Sequence, residues 1–211
     1  MRQLRRNIQL CAPFLTGKLL DFGCGSKPYK DFCTNVSEYV GLDYENLGHP
    51  HENEPIDVFY NGREIPFPSE HFDSLLSTQV LEHVEDLNFT IKEWHRVLKQ
   101  GGRLLVTAPF VWGEHELPHD YRRFSACGLE RLFSENGFRC VEIKKLGTPL
   151  EVIAQLRINY LTPFCLKTKV SRIFLMLFIA VPTSMAAIIL SYLLPTSDNL
   201  YFDTLVLAEK S

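Results

Sequence analysis

The chain has 211 residues, and 22 lysines and arginines against 25 aspartates and glutamates give it a formal net charge of −3. Hydrophobic residues make up 45% and charged residues 22% of the chain, which excludes a disordered or collagen-like chain and favours one folded domain over residues 1–211. Because basic residues are not in excess, we expect no nucleic-acid partner.

The cysteines and the N-terminal stretch indicate a cytoplasmic chain. None of the six cysteines lies in C-x-x-C spacing, and none forms a zinc-ligand pattern with a histidine. Residues 1–15 are basic but lack the long apolar stretch and small-residue cleavage site of a secretory signal. We therefore expect reduced thiols, a cytoplasmic location and no metal.

Short apolar runs alternate with helical patterns along the chain. The strands predicted from these runs are 18–23, 38–44, 57–60, 72–78, 102–109, 138–146 and 201–210. Apolar residues recur at helical spacing from Leu87 to Leu98, and the glycine pair 101–102 is predicted to end that helix. A later helix is predicted between Ser125 as N-cap and Gly137 as stop. The alternation predicts an α/β fold, with an open and mostly parallel sheet covered by helices on both faces.

A glycine loop follows the first predicted strand, and an acid ends the second. Gly23 and Gly25 allow a tight turn and a close ligand approach, while Asp43 can accept hydrogen bonds from ribose hydroxyls. The alternative is a plain strand turn with an unrelated surface aspartate. Pro28 occupies the third-glycine position of the nicotinamide-dinucleotide fingerprint, and Asp21 would repel a pyrophosphate. A sulfonium or amino group suits this charge better.

Four stretches follow one another along the chain: LLDFGCGSKPY, YVGLDYE, the stretch from NGREIPFP to LEHVED, and LKQGGRLLVTAP. Their order resembles that of the class I S-adenosylmethionine-dependent methyltransferases, and it is most similar to the type 11 group. The similarity covers residues 17–146, with the last strand completing the pattern. The resemblance implies a Rossmann-like sheet of seven strands whose last strand is antiparallel, and S-adenosylmethionine as cofactor. Lys27 replaces the third glycine of this family.

The resemblance also assigns cofactor contacts. Asp21, Gly23, Cys24 and Gly25 are expected at the methionine part, Asp43 at the ribose, Tyr44 at the adenine, Asn61 and Gly62 at the adenine edge, and Thr78 and Gln79 at the methyl-donor end. An acidic residue is more usual where Asn61 stands. In the L-E-H-V stretch, His83 is expected to be a structural or channel residue rather than a base.

The loop after the fifth strand, residues 110–124, is rich in aromatic, histidine and acidic residues. We predict that His115 or His119 serves as general base or orients the acceptor. Pro118 lies between them and argues against a helical H-E-x-x-H zinc site. The alternative for His119 and its neighbours Asp120, Tyr121 and Arg123 is a hydrogen-bonded anchor of the loop.

Residues 173–194 carry no charge, and an apolar run of this length is enough to span a bilayer. A single crossing would leave the last strand on the far side, so we predict an apolar insertion over 163–195, built of two short helices joined at residues 182–184. It is expected to contact a membrane peripherally or a second subunit, and a buried insert is the alternative. Four basic residues precede the segment and suit anionic head groups: Arg157, Lys167, Lys169 and Arg172.

These observations predict a methyltransferase that modifies a small-molecule, sugar- or lipid-linked acceptor. The alternative is a membrane-associated S-adenosylmethionine-binding or scaffold protein without catalysis. A nicotinamide oxidoreductase is disfavoured by Pro28.

Overall fold

A computed structural model describes residues 2–44, 54–165, 168–195 and 197–211. The strands are β1 (Gly17–Phe22), β2 (Val36–Tyr44), β3 (Val58–Tyr60), β4 (Phe72–Thr78), β5 (Leu98–Pro109), β6 (Phe138–Leu146) and β7 (Asp203–Lys210). The helices are α1 (Arg2–Cys11), α2 (Leu87–Val97), α3 (Ala126–Glu135), α4 (Pro149–Cys165), α5 (Lys169–Leu175) and α6 (Val181–Leu193). All seven predicted strands are present.

The strands form one sheet in the order β3-β2-β1-β4-β5-β7-β6. β7 is antiparallel to both β5 and β6, and the other neighbours are parallel. The predicted Rossmann-like sheet with an antiparallel last strand is therefore confirmed. The order reverses between β1 and β4, and ligands bind at such a point in open α/β sheets.

The core lies on both faces of the sheet because successive residues of the central strands point to opposite sides. One face buries Leu20, Leu75, Leu104 and Trp94, and the other buries Leu19, Leu76, Leu105 and Ile8. Trp94 belongs to α2 and Ile8 to α1, so helices cover both faces as the sequence predicts. Each such side chain contributes about 1.5–3 kcal/mol by leaving water.

The glycine pair 101–102 does not end α2. Leu98 already has extended backbone and starts β5 opposite Phe72, so the helix stops at Val97. The prediction was wrong because Leu98 continues the apolar helical pattern although its side chain is buried as part of a strand. Gly101, with φ of +71°, instead provides a left-handed turn within β5, where the pairing with β4 shifts in register.

The uncharged segment forms one helix, and the predicted break at residues 182–184 is wrong. Val170–Leu193 is helical throughout, with a π-helical turn at Met176–Ala180 between α5 and α6. This wider turn precedes Pro182, which has no backbone N–H. The Thr183 hydroxyl donates to the carbonyl of Ile179 over 2.5 Å. The altered turn accommodates the proline within a continuous helix.

This helix and α4 pack on each other as a helical hairpin, residues 149–193, held at its base by Thr148 Oγ1 and Ser191 Oγ at 2.7 Å. Within the described ranges, one helix, Val170–Leu193, is long enough and apolar enough to cross a membrane, and little of it is buried. Arg157 and Arg172 are exposed, whereas Lys167 lies outside the described residues.

The hairpin leaves the sheet at the end of β6 and returns at the start of β7. Because β6 runs parallel to β1 and β7 runs opposite to it, both points lie at the edge where the parallel strands end. The apolar hairpin therefore shares this edge with the glycine turn.

Candidate functional site

Most residues predicted to contact the cofactor follow the ends of parallel strands. The loops after β1 and β4 leave the sheet where the strand order reverses, and in open α/β sheets ligands bind in a crevice at this point. The ends of β2 and β3 lie on one side of that crevice. The 110–124 loop follows β5 on the other side.

Two glycines with left-handed backbone form the turn after β1. Gly23 has a φ of +72°, and a Cβ atom there would overlap the side chain of Val80. Gly25 has a φ of +44°, and its N–H donates to Asp43 Oδ2 over 2.7 Å. The turn and the acid at the end of β2 therefore form one hydrogen-bonded unit. Cys24 between the glycines buries its side chain, and its backbone N–H donates to the carbonyl of Leu42 over 3.2 Å.

Asp21 is a buried carboxylate at the base of this turn, 3% exposed. Burial raises its pKa to about 7, the Tyr39 hydroxyl opposes this by donating over 2.5 Å, and the charge of Asp43 adds to it. A cationic group from a ligand would offset both burial and repulsion.

Lys27 stands at the family's third-glycine position and takes up the backbone shape of a glycine, with φ of +54°. Its side chain turns back and forms an ion pair with Asp57 at 2.5 Å. Asp57 also accepts the N–H of Gly41 at 2.6 Å, and a side chain on Gly41 would overlap that of Lys27. Sequence reasoning missed this ion pair because its partners are thirty positions apart.

Asp43 and Tyr44 end β2 at the edge of the crevice. Each Asp43 oxygen accepts one backbone N–H, from Gly25 and from Tyr44, both at 2.7 Å. A carboxylate can accept about four hydrogen bonds, so it has capacity for a pair of hydroxyls. Tyr44 is 45% exposed, and a Cβ atom on Gly62 would lie 2.8 Å from its ring. Gly62 thus allows its own loop to lie directly against this ring, where a side chain would overlap it.

Asn61 caps its own turn, since its Oδ1 accepts the N–H of Arg63 at 3.2 Å. Next to it lies an open cleft of 870 Å³. The cleft is lined by Gly62, Arg63, residues 84–90 and Arg122. The structure therefore brings Gly62 to a cavity, while the Asn61 side chain already has a local partner.

Thr78 is the last residue of β4, and Gln79 follows it. Gln79 has a left-handed φ of +57°, and its Nε2 donates to Thr107 Oγ1 over 3.1 Å. Its backbone N–H donates to the carbonyl of Thr107 over 3.0 Å. These bonds hold the end of β4 against β5.

The 110–124 loop is anchored by buried ion pairing. Both oxygens of Asp120, whose side chain is 1% exposed, accept from Arg123 at 2.5 and 2.7 Å. This guanidinium lowers the pKa of Asp120. Arg122 donates to the carbonyls of Val84 and Glu85 at 2.6 and 3.1 Å. Asp120 and Arg123 thus anchor this loop, which is the alternative role considered for them in the sequence analysis.

The two candidate histidines have different surroundings. His119 is exposed, with Nδ1 3.0 Å from the hydroxyl of Tyr121. His115 lies edge-on to His83, with ring centroids 4.8 Å apart. The structure therefore joins His115, but not the side chain of His119, to the residues after β4.

Glu82 lies next to His83 and His115. It is fully buried, neither of its carboxylate oxygens has a hydrogen-bond partner, and burial raises its pKa to about 8. Its backbone carbonyl accepts the N–H of Tyr121 at 2.9 Å. Its position in the L-E-H-V stretch was visible in the sequence, but its contact with the distant His115 was not.

This sheet order, with an antiparallel β7, is that of the class I methyltransferase fold. Comparison with known families agrees, since residues 20–106 match the family described as a methyltransferase domain of the type 11 group. The resemblance found in the sequence is confirmed over this range.

Curated relatives point the same way. The chain is 34% identical over 131 residues to a probable S-adenosylmethionine-dependent methyltransferase of Mycolicibacterium smegmatis, covering 57% of this chain and 51% of the relative. It is 30% identical to a ubiquinone biosynthesis O-methyltransferase of Pelagibacter ubique, covering 44% and 42%. The chain thus spans about half the length of the curated relatives it matches.

Solved structures share the fold. An S-adenosylmethionine-dependent methyltransferase from Mesorhizobium loti superposes with a TM-score of 0.55 at 15% identity, covering 97% of this chain and 96% of the other. The cyclase SpnF gives 0.62 at 20% identity, covering 98% and 81%. At such identities the likeness concerns the fold alone.

The family implies S-adenosylmethionine as cofactor, and the residues present fit it. Asp21 and Asp43 supply negative charge beside the glycine turn, which suits a cationic ligand. Asp43 has the acceptor capacity for a ribose diol, and the ring of Tyr44 is partly exposed at the end of the same strand. A pyrophosphate would be repelled by the same two carboxylates.

Proposed function

We propose that the protein transfers a methyl group from S-adenosylmethionine to a small-molecule, lipid-linked acceptor. The main support for this proposal is the hydrogen bond between Asp43 and the glycine turn, with the buried carboxylate of Asp21 at the base of the turn. The cofactor, when bound, supplies an already activated methyl group. The chain is therefore left with binding, alignment and management of the acceptor's proton.

The residues divide this work. Asp43 would hold the ribose, Tyr44 and Gly62 would bound the adenine, and Asp21 would favour the positive end of the cofactor. Gln79 and Thr78 would border the methyl group from the end of β4. On the far side, the 110–124 loop would contact the acceptor, with His115 or His119 orienting it or taking its proton.

Cofactor binding is tested by calorimetric titration of the purified protein with S-adenosylhomocysteine and, separately, with NADH. We expect saturable binding of the first and none of the second. Binding of NADH alone would refute the proposal. Release of S-adenosylhomocysteine in the presence of acceptor separates an enzyme from a binding protein without catalysis.

The two histidines are tested by the double variant His115→Ala/His119→Ala. We expect the turnover number to fall while the affinity for S-adenosylhomocysteine stays as in the wild type. Turnover equal to that of the wild type would remove both residues from the chemistry.

A lipid-linked acceptor is supported by the position of the helical hairpin. The hairpin projects from the edge that carries the glycine turn, and its long helix exposes apolar side chains such as Phe174, Leu177 and Phe178. A helix of 24 residues is about 36 Å long, comparable to a bilayer core of about 30 Å. A bilayer suits this surface better than protein, because residues 173–194 are uncharged and exposed Arg172 precedes them. The relatives named for ubiquinone and menaquinone biosynthesis also support a small-molecule acceptor.

Vesicle flotation tests this membrane contact. With vesicles containing anionic lipid, we expect the wild type to float and Leu177→Glu/Phe178→Glu to remain at the bottom. Leu10→Glu, which charges an exposed leucine of α1, is the matched control and is expected to float. A wild type that stays monomeric, soluble without detergent and unbound to vesicles would refute membrane contact, and a soluble dimer would instead favour a second subunit.

A further inference from the structure

Three side chains at the base of the 110–124 loop direct ligand atoms toward one another. Glu82 and His83 lie in a short helical turn, Leu81–His83, after β4, and His115 lies in the loop after β5. Their nearest ligand atoms all lie within 4.8 Å of one another. We call them the Glu82–His83–His115 cluster. Ligand atoms about 2.1 Å from a common cation lie about 3.4 Å apart, so small side-chain rotations would close the cluster around an ion.

Glu82 lacks the partners that a buried carboxylate requires. It is fully buried, and neither oxygen meets a hydrogen-bond donor among the described residues. An unpaired buried carboxylate is strongly unfavourable unless a proton or a cation neutralises it. A cation between Glu82 and the two imidazoles would satisfy it.

In its neutral form each of the two histidines keeps one unprotonated nitrogen, because its Nδ1 lies against oxygen acceptors. Nδ1 of His83 lies 2.8 Å from the carbonyl oxygen of His119, which can only accept, so Nδ1 carries the proton and Nε2 keeps its lone pair. Nδ1 of His115 lies 3.2 Å from the carbonyl of Gly113 and 3.4 Å from Asp120 Oδ2, which assigns it the same tautomer. A ring N–H held by a carboxylate or carbonyl is the usual support of a metal-binding histidine.

Other contacts support the arrangement. Asp120 is fixed by both N–H groups of Arg123, so it holds the ring of His115 in place. Glu116 Oε2 lies 3.8 Å from Nε2 of His83, so a second, exposed carboxylate lies beside the cluster without being one of its three ligands. The cluster thus contains two imidazoles and one buried carboxylate, with one solvent-facing carboxylate beside it.

We propose that the Glu82–His83–His115 cluster binds a divalent transition-metal ion, with Zn²⁺ as the best match. Two imidazoles and a carboxylate form the ligand set of many zinc sites that keep an open position, whereas Mg²⁺ prefers oxygen alone. This differs from the His115 and His119 pair considered in the sequence, since His119 contributes its backbone carbonyl and not its ring.

The cluster follows Gln79, the first residue after β4, and so lies at the edge where the parallel strands end. If the proposed function holds, the ion's open position would bind an acceptor hydroxyl and lower its pKa, so that its proton passes to water before the oxygen takes the methyl group. His115 would then act as a ligand and not as the base. This role rests on the proposed function, whereas metal binding itself does not.

The test uses the full chain stripped with a chelator, without cofactor or acceptor. Calorimetric titration with ZnCl₂ is expected to give one equivalent bound, and Glu82→Gln and His115→Gln are each expected to weaken binding by at least tenfold. His119→Gln is the matched control and is expected to bind as the wild type, because the backbone carbonyl that supports His83 is retained. Zn²⁺ is also expected to raise the melting temperature of the wild type but not of Glu82→Gln.

Absence of saturable binding, unchanged affinity in His115→Gln, or Zn²⁺ binding no tighter than Mg²⁺ would overturn the site. Since His115 lies in a partly exposed loop, that variant is expected to fold even if Glu82→Gln does not. Failure to bind S-adenosylhomocysteine would refute the proposed function and leave this result standing.

Discussion

The buried carboxylate of Asp21 makes a quantitative prediction about pH. Its pKa is raised from the ordinary 3.8 to about 7, chiefly by burial. Because the folded state holds this proton more tightly than the unfolded state, the free energy of unfolding falls as pH rises from about 4 to about 7. At 1.36 kcal/mol per pKa unit, the loss reaches roughly 4 kcal/mol above pH 7. Asp21→Asn stays neutral and would not show this loss.

The assay is denaturant unfolding of the wild type and Asp21→Asn at pH 4, 6 and 8. We expect the free energy of unfolding of Asp21→Asn to rise relative to that of the wild type as the pH rises, by up to roughly 4 kcal/mol at pH 8. The asparagine keeps an oxygen for the Tyr39 hydroxyl, so the comparison isolates the charge. Asp31→Asn removes an exposed carboxylate of the same region and serves as control.

Ligand binding supplies the second readout. At pH 8, S-adenosylmethionine is expected to stabilise the wild type more than Asp21→Asn, because the cationic ligand offsets the buried charge that only the wild type carries. A pH profile shared by the wild type and Asp21→Asn would refute this account. Equal stabilisation of both proteins by the ligand would refute the electrostatic role in binding.

Three further predictions concern the glycine turn, the acid of β2 and the cap of α3. Gly23→Ala places a Cβ against Val80 at a left-handed φ, and we expect it to lower the free energy of unfolding by about 1–3 kcal/mol in denaturant unfolding. Gly113→Ala is the control: its Cβ would meet nothing within 4 Å, so we expect this variant to unfold like the wild type. Asp43→Ala is expected to weaken S-adenosylhomocysteine binding at least tenfold by calorimetry, and unchanged affinity would remove Asp43 from the ribose site. Ser125→Ala removes the acceptor for the first turn of α3 and is expected to cost about 1 kcal/mol, which Ser125→Asp should restore.

The regular elements could be predicted because their apolar patterns are local. The strands at 72–78 and 138–146 have the bounds predicted from the sequence, since polar or glycine residues flank each apolar run. Ser125 and Gly137 bound α3 as expected from capping chemistry. The end of α2 was missed because Leu98 fits both a helical stripe and a buried strand.

The parts of the site that could not be predicted depend on contacts between distant residues. The ion pair of Lys27 with Asp57 and the approach of His115 to Glu82 join segments about thirty positions apart. Spacing along the chain carries no signal for such contacts, whereas the glycine turn and Asp43 belong to a recognisable pattern. The single helix through Pro182 was missed because a local π-helical turn overrides the usual effect of proline.

The placement of β7 between β5 and β6 has a consequence for how the chain folds. Until residues 203–210 are synthesised, β5 and β6 both present open hydrogen-bonding edges, and the most apolar helix of the chain has already been made. The central sheet is thus completed by its last-made strand, across a long loop closure that favours slow assembly. At the proposed membrane contact, a lipid surface that covers the apolar helix during this interval would therefore also assist folding.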